Sequence, residues 1–190
     1  KINLEVCGKK RFYLTEDPSK RCMVSLLATH LLERARRFNS TSTTAGGWAT
    51  SELNAVLNSR LYNAIPPQTK LLLKQVTVPS SAGSGSMNIT TSECYIAVPA
   101  AIELSSTSTW TAEPYIHEMA ITSGKTISYM TSDARRKRTY ADGGTGSYWT
   151  RSPSIRYTDR VCTVDSTGYL YYYSYGYPSS TQGVLIEISF

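Results

Sequence analysis

Histidine, charge and paired cysteine are all scarce in this sequence, and each shortage removes a class of chemistry. Two histidines occur, His30 in an apolar run and His117 in a polar one, and neither has a nucleophile or orienting acid arranged around it. His30 therefore reads as a satisfied structural residue and His117 as a surface one. Cys7, Cys22, Cys94 and Cys162 lie far apart, with no Cys-x-x-Cys pair and no histidine at ligand spacing. That pattern excludes a conventional zinc or dithiol motif and leaves disulfide pairing open. Glu113-Pro114 is followed by Tyr115 and has no Trp-Asn-Asp partner to complete a set of oxygen ligands, so calcium is not expected. Gly143-Gly144-Thr145-Gly146 follows no strand-to-helix turn and is expected to be a loop, not a phosphate cradle. The expectation is thus no catalytic residue, no metal and no cofactor. No run approaches the roughly 18 to 20 apolar residues of a membrane span, so no membrane insertion is expected. The first residues lack the zones of a signal peptide. The chain opens on Lys1, without a methionine, and reads as a piece of something larger.

What the sequence does have is tyrosine: 14 of them against 3 phenylalanines, so the aromatic side chain is being used together with its hydroxyl. Serine and threonine are abundant while charged residues make up only 18%, a balance common in secreted, surface and virion proteins. A length of 190 residues suits one domain, residues 1–190, better than two. The net charge of +6 gathers in two clusters, Arg34 with Arg36 and Arg37, and Arg135-Arg136-Lys137-Arg138. Neither is interleaved with aromatics as a strand-binding groove would be, so both read as solvated loops and no nucleic-acid partner is expected.

Along the chain, alternation through Ile2, Leu4 and Val6, then around Phe12 and Leu14, predicts a hairpin or pair of short strands. Cys22 to Leu27 reads as a buried strand, 31–38 as either helical or extended, and Asn39 to Gly47 as loop. Leu53, Val56, Leu57, Leu61 and Ile65 recur at helical steps, which predicts a helix from about Ser51 to Ala64 with Thr50 as its N-cap. Pro67 suits the start of a short second helix through Leu73, with Lys74 to Val78 extended after it. Ser80 to Ser86 is a glycine and serine loop. Extended pieces are expected at Cys94 to Val98 and Thr126 to Met130, with a helical turn at Pro99 to Leu104. The last third has no helical periodicity and reads as strands at Tyr148 to Ser152, Arg160 to Val164, Tyr169 to Tyr177 and Val184 to Phe190. Helices first and an irregular sheet after them predict an α+β domain.

Within that last third, Tyr169, Tyr171, Tyr173, Tyr175 and Tyr177 alternate with Leu170, Tyr172, Ser174 and Gly176, so an extended chain would carry one wall of tyrosine. Stiff phenolic rings with adaptable serine and glycine are the chemistry of antibody combining loops. Tyr148-Trp149-Thr150-Arg151-Ser152-Pro153 stands upstream, Gly183-Val184-Leu185-Ile186-Glu187-Ile188-Ser189-Phe190 closes the chain, and Gly47-Trp48-Ala49-Thr50-Ser51 leads into Leu57-Asn58-Ser59-Arg60-Leu61-Tyr62. From about Arg37 onward these motifs resemble a bacterial and phage family that includes the variable proteins of diversity-generating retroelements. At the close, Leu185 and Ile186 stand where that family usually has Arg-Pro.

The resemblance implies a C-type lectin-like α+β fold, two helices flanking a small, twisted, mostly antiparallel sheet, with a variable region at 154–182. It also implies that Trp149, Arg151, Pro153 and Gly183 are scaffold, as Cys162, Val164 and Gly168 would be. Arg156, Tyr157, Asp159, Arg160, Thr163, Asp165, Tyr169, Tyr171, Tyr173, Tyr175 and Tyr177 would be the displayed ligand-binding set. The implied function is binding of a protein or glycan on another cell or particle, from a phage or viral tail-fibre tip, or as a cell-surface adhesin. A fixed-specificity lectin or adhesin of the same fold, and an enzyme on that frame, are the alternatives. Adenine-directed mutagenesis of AAC or AAT codons cannot produce Lys, Glu, Gln, Met or Trp. Between Ser154 and Gln182 only Gln182 is of these types, where about five would follow from the frequency in the preceding 153 residues. The reading predicts a template repeat in the neighbouring DNA that differs from codons 154–182 mainly at adenines. Sequencing the locus checks it, and an absent repeat favours fixed specificity.

Overall fold

Runs of β-formers in this chain are cut again and again by Gly, Pro, Ser and Asn, so strands form but stay short. The computed structural model describes residues 2–32, 35–105 and 126–190, and of residues 172–175 the backbone alone. Arg34, Glu113-Pro114, Tyr115 and His117 lie outside the described residues, as do the side chains of Tyr173 and Tyr175.

In chain order the strands are β1 (Leu4–Lys9), β2 (Tyr13–Leu14), β3 (Val24–Ala28), β4 (Arg36–Arg37), β5 (Val76–Ser81), β6 (Ile89–Cys94), β7 (Ile96–Ala97), β8 (Tyr148–Pro153), β9 (Val161–Val164), β10 (Leu170–Gly176), β11 (Thr181–Gln182) and β12 (Glu187–Ser189). They build four small sheets, in the orders β1-β3-β12-β7, β2-β5-β6, β10-β9-β8 and β11-β4. All the strand pairs are antiparallel.

This corrects the α+β, C-type lectin-like expectation. Among the described residues the chain is mostly β, with four small antiparallel sheets and one substantial helix of 13 residues. That helix runs where the periodicity placed it, through an α-helical Glu52–Val56, a π-turn Leu57–Leu61 and a last turn Tyr62–Ala64. Its N-cap is Ser51 and not Thr50: the Ser51 Oγ accepts the Asn54 N–H at 3.1 Å, whereas the Thr50 hydroxyl turns back to donate to the Ala45 carbonyl. The π-turn brings Asn58 against β7: its Nδ2 donates to Ile96 O at 2.8 Å, and its Oδ1 accepts the N–H groups of Tyr95 and Ile96. The predicted second helix shrinks to the single turn Pro67–Lys70. Of the three leucines that follow, Leu73 alone is buried while Leu71 and Leu72 face water, so no apolar stripe exists to extend it.

The opening also departs from its pattern. β1 pairs with β3 and β2 with β5, so the two do not form a hairpin together. Ile2, Leu4 and Val6 are exposed while Glu5 is half-buried and Cys7 buried, so on the edge strand β1 the odd-numbered positions face inward and the apolar side of the alternation faces water. Arg36–Arg37 is extended, and Ser128–Met130 is a 3-10 turn where a strand was expected. The four cysteines are free and buried.

Beneath the sheets lies a network of buried ions. Arg151, fully buried on β8, grips Glu103 with both arms, Nη1 to Oε2 at 2.8 Å and Nη2 to Oε1 at 2.6 Å. Its remaining donors reach Pro79 O of β5 and Val98 O. Arg11 Nη2 stands 3.2 Å from the same Glu103, and its Nε donates to Glu187 Oε1 of β12 at 2.8 Å. Burial pushes both carboxyls up. At Glu103 the two guanidinium groups overcome it and hold the pKa below the usual range, whereas Glu187, with the Glu103 charge near it, stays above. Glu103→Gln would leave two buried cations facing a neutral amide, and should lower the unfolding free energy by about 3–5 kcal/mol in urea titrations. Because the Glu187 pKa is raised in the fold, its contribution is complete below the ordinary value of about 4.5 and is lost as pH rises through the raised value. Over that window Glu187→Gln should lose less stability with rising pH than the wild type; equal slopes would contradict the assignment.

Candidate ligand-binding surface

The segment 154–182 hangs from the β8-β9-β10 sheet, and its shape follows from how that sheet closes over Trp149. Trp149 is fully buried, its Nε1 donates to Arg36 O at 2.7 Å, and its ring meets Phe38 edge-on at 5.8 Å. Phe38 in turn lies 6.2 Å from Trp48. Gly176 of β10 passes directly over the Trp149 ring, where a Cβ would fall 2.3 Å from Cζ3. Gly183 packs as closely: a Cβ there would meet Leu31 at 2.6 Å and the Ser147 carbonyl at 2.8 Å. Trp149, Arg151, Pro153 and Gly183 are all buried, and so are Cys162, Val164 and Gly168.

The backbone of the segment is tied down at several points. Thr44 donates to Thr158 O through both its N–H and its hydroxyl, at 3.1 and 2.8 Å. The N–H groups of Phe38 and Asn39 both donate to Pro178 O. The buried Arg136 donates through Nε to Gly168 O at 2.9 Å, and the Thr150 hydroxyl to Cys162 O at 2.7 Å. Ser154 closes the first loop by donating its N–H to Arg160 O and accepting the N–H groups of Arg156 and Tyr157. Thr44 and Asn39 lie in a stretch that reads simply as loop, and Arg136 belongs to a basic cluster expected to be solvated, an expectation its burial corrects.

On this frame the expected binding residues separate into groups. Arg156, Tyr157, Tyr169 and Tyr177 are exposed, while Asp159, Arg160, Asp165 and Tyr171 are half-buried. The Arg160 guanidinium lies 3.4 Å from the centroid of the Tyr177 ring and 6.0 Å from that of Tyr157, with Nη1 2.5 Å from Asp159 Oδ2. These four form one cluster beside the start of β9. Near the other end of β9, Tyr169 and Tyr171 meet edge to face at 4.7 Å. Asp165 beside them is committed to its own turn: its Oδ1 accepts from the Thr167 N–H and hydroxyl and from the Tyr169 N–H. Burial raises its pKa, but these bonds win and hold it below the usual range.

Thr163 is buried, because it pairs with both Trp149 and Tyr171 at the centre of the sheet and its methyl group faces Gly176. The continuous tyrosine wall does not follow from the backbone. Between Tyr171, opposite Thr163, and Gly176, opposite Val161, the register shifts, which breaks a strict two-residue alternation. A hollow of about 290 Å³ next to the segment's end is lined by Arg36, Arg37, Glu52 and Thr181 among others. The His30 Nδ1 shares a hydrogen bond with Thr29 Oγ1 at 2.8 Å. Burial, with the Glu187 carboxylate beside Cys7, pushes the Cys7 thiol far up, and burial raises that of Cys94. Both thiols are therefore held protonated. Among the described residues no three His, Cys, Asp or Glu side chains converge to hold a metal ion, and no helix is long and apolar enough to cross a membrane.

Trp149→Ala should cost about 3–5 kcal/mol, as truncation of a fully buried aromatic does. Gly176→Ala should cost comparably little in side-chain volume yet destabilise strongly, since the added carbon enters the same ring. Thermal melts of the two variants check both, and a mild effect of Trp149→Ala would contradict the packing described above.

No curated protein and no solved structure matches the chain. Residues 23–183 match the family described as Domain of unknown function (DUF6273). That match spans far more than half of the chain, so the protein belongs to the DUF6273 family.

Proposed function

We propose that this domain is a binding module whose 154–182 segment recognises a protein or glycan on another cell or particle. The observation that carries the reading is the Tyr157, Asp159, Arg160 and Tyr177 cluster. An arginine is stacked on one ring and paired with a carboxylate while two tyrosines stay in water, on a backbone stapled at Thr158 and Pro178. Such a patch has lost most of its conformational freedom before a ligand arrives, which lowers the entropic cost of binding. Tyr169 and Tyr171 add a second aromatic pair. Binding is favoured over catalysis because burial raises the pKa of the Cys7 and Cys94 thiols, and His30 has only the Thr29 hydroxyl as a hydrogen-bond partner among the described residues.

The reading places the domain outside the cell, on a cell or virion surface, as an adhesin or as a phage or viral fibre tip. Diversification of the segment, as in the variable proteins of diversity-generating retroelements, belongs to the same proposal and rests on the residue-type deficit between Ser154 and Gln182. With Thr163 buried and Asp165 committed to its turn, the changeable set among the described side chains narrows to Arg156, Tyr157, Asp159, Arg160, Tyr169, Tyr171 and Tyr177.

A labelled domain applied to arrays of glycans and cell-surface ectodomains should give a small number of hits. Substituting Tyr157, Tyr169 and Tyr177 together by Ser should abolish those hits and leave the melting temperature within a few degrees. Retained binding, or a collapse of the fold, would show that these rings do not form the recognition surface.

A further inference from the structure

A second concavity lies between β2 and the end of β12, away from any residue of the 154–182 segment. It encloses about 680 Å³ and its walls carry Lys10, Lys20, Arg21 and Lys74 against the single acid Glu16, with the exposed Met23 and half-buried Phe190 as apolar surface. Two of the cations are already paired, Lys20 with Asp17 at 2.8 Å and Lys74 with Glu16 at 3.2 Å. Both pairs are largely in water, where such contacts are weak and are exchanged readily.

Arg21 is different. Its guanidinium lies 4.2 Å from the centroid of the Tyr13 ring, Nη2 donates to Tyr13 Oη at 2.9 Å, and Nη1 donates to Lys10 O at 3.1 Å. Three contacts hold it in place, yet no carboxylate among the described residues lies within ion-pair distance of it. The carbonyl that holds it belongs to Lys10, a non-glycine residue at a φ of 52°, a left-handed conformation that costs free energy. Lys10 also lacks a carboxylate partner among the described residues. Two uncompensated cations, one of them oriented, therefore face a groove that keeps Met23 79% exposed.

We propose that this groove binds an acidic peptide segment, with carboxylates on Arg21 and Lys10 and an apolar side chain on Met23 and Phe190. The remaining N–H groups of a fixed guanidinium match a carboxylate fork, and the charge balance of the walls calls for negative partners. The apolar surface that shares the groove with the cations favours a peptide over a single-stranded nucleic acid, which needs free aromatic faces for stacking; one face of Tyr13 is covered by Arg21. The concave shape favours a chain over a lipid surface.

The test is fluorescence anisotropy on the whole chain with a labelled octapeptide of alternating Glu and Leu, beside its Lys and Leu counterpart and phosphatidylserine vesicles. The acidic peptide should bind, weaken with added salt and lose about tenfold in affinity on Arg21→Gln, the effect of one charge-assisted hydrogen bond. Tyr177→Ser should leave it unchanged, which separates this site from the surface at 154–182. Lys10→Gln supplies an independent variant should Arg21→Gln disturb the melting curve. Equal binding of the basic peptide, or indifference to both groove variants, overturns the proposal. So does Arg21-dependent capture by the vesicles without peptide binding.

Discussion

The structure depends on one buried arrangement of charge, in which Arg151 and Arg11 share Glu103 while Arg11 also holds Glu187. Arg11 and Glu187 are 176 residues apart in sequence, and Arg151 and Glu103 are 48 apart. The four side chains thereby tie the sheet of β8, β9 and β10 to the sheet that contains β12. Through Pro79 O they also reach the sheet of β2, β5 and β6. Such a network adds little net free energy, since taking the ions out of water offsets most of their attraction. What it imposes is geometry. Any arrangement that separates one member leaves a charge buried without its counterpart, so small sheets with little surface of their own are admitted in only one relative position.

Once β8 is locked in this way, the rest of the candidate surface follows from neighbours of Arg151. Trp149, two residues earlier, fills the space against Phe38 and requires glycine at position 176 opposite. Thr150 holds the Cys162 carbonyl, and Ser152 accepts the Ala101 N–H. The 154–182 segment can then be irregular without being loose, because its backbone is held by Thr44, Phe38, Asn39 and Arg136, all from outside the segment. The tyrosines at its margins are free to face water because none of them is needed for that anchoring.

Local patterns were read well where a single element decides them. The 3.6-residue spacing of Leu53, Val56, Leu57 and Leu61 is a property of one helix, and the helix is there. Trp149, Arg151 and Gly183, which the family resemblance and not any local pattern implied to be scaffold, are buried. The failures share a different cause. Ile2, Leu4 and Val6 alternate as a core-facing strand would, but β1 is an edge strand that turns its odd-numbered positions, Glu5 and Cys7, inward instead. The strict alternation assumed for Tyr169 to Tyr177 is interrupted by a register shift between Tyr171 and Gly176, which a sequence pattern does not reveal. Thr163 reads as a displayed polar residue until its position at the middle of a three-stranded sheet is known.

By itself the sequence determined the predominance of short strands in its last third, the site of the one long helix and the tyrosine-rich chemistry available for contact. These depend on propensity, period and side-chain type, which are local quantities. The tertiary structure decided the division of the described strands into four sheets, the burial of the ion network, which face of β1 turns inward and which of the expected binding residues reach water. Each of these depends on pairing between segments far apart in the chain. Register and long-range partnership are set by which arrangement satisfies all the buried groups at once, and no stretch of sequence carries that information alone.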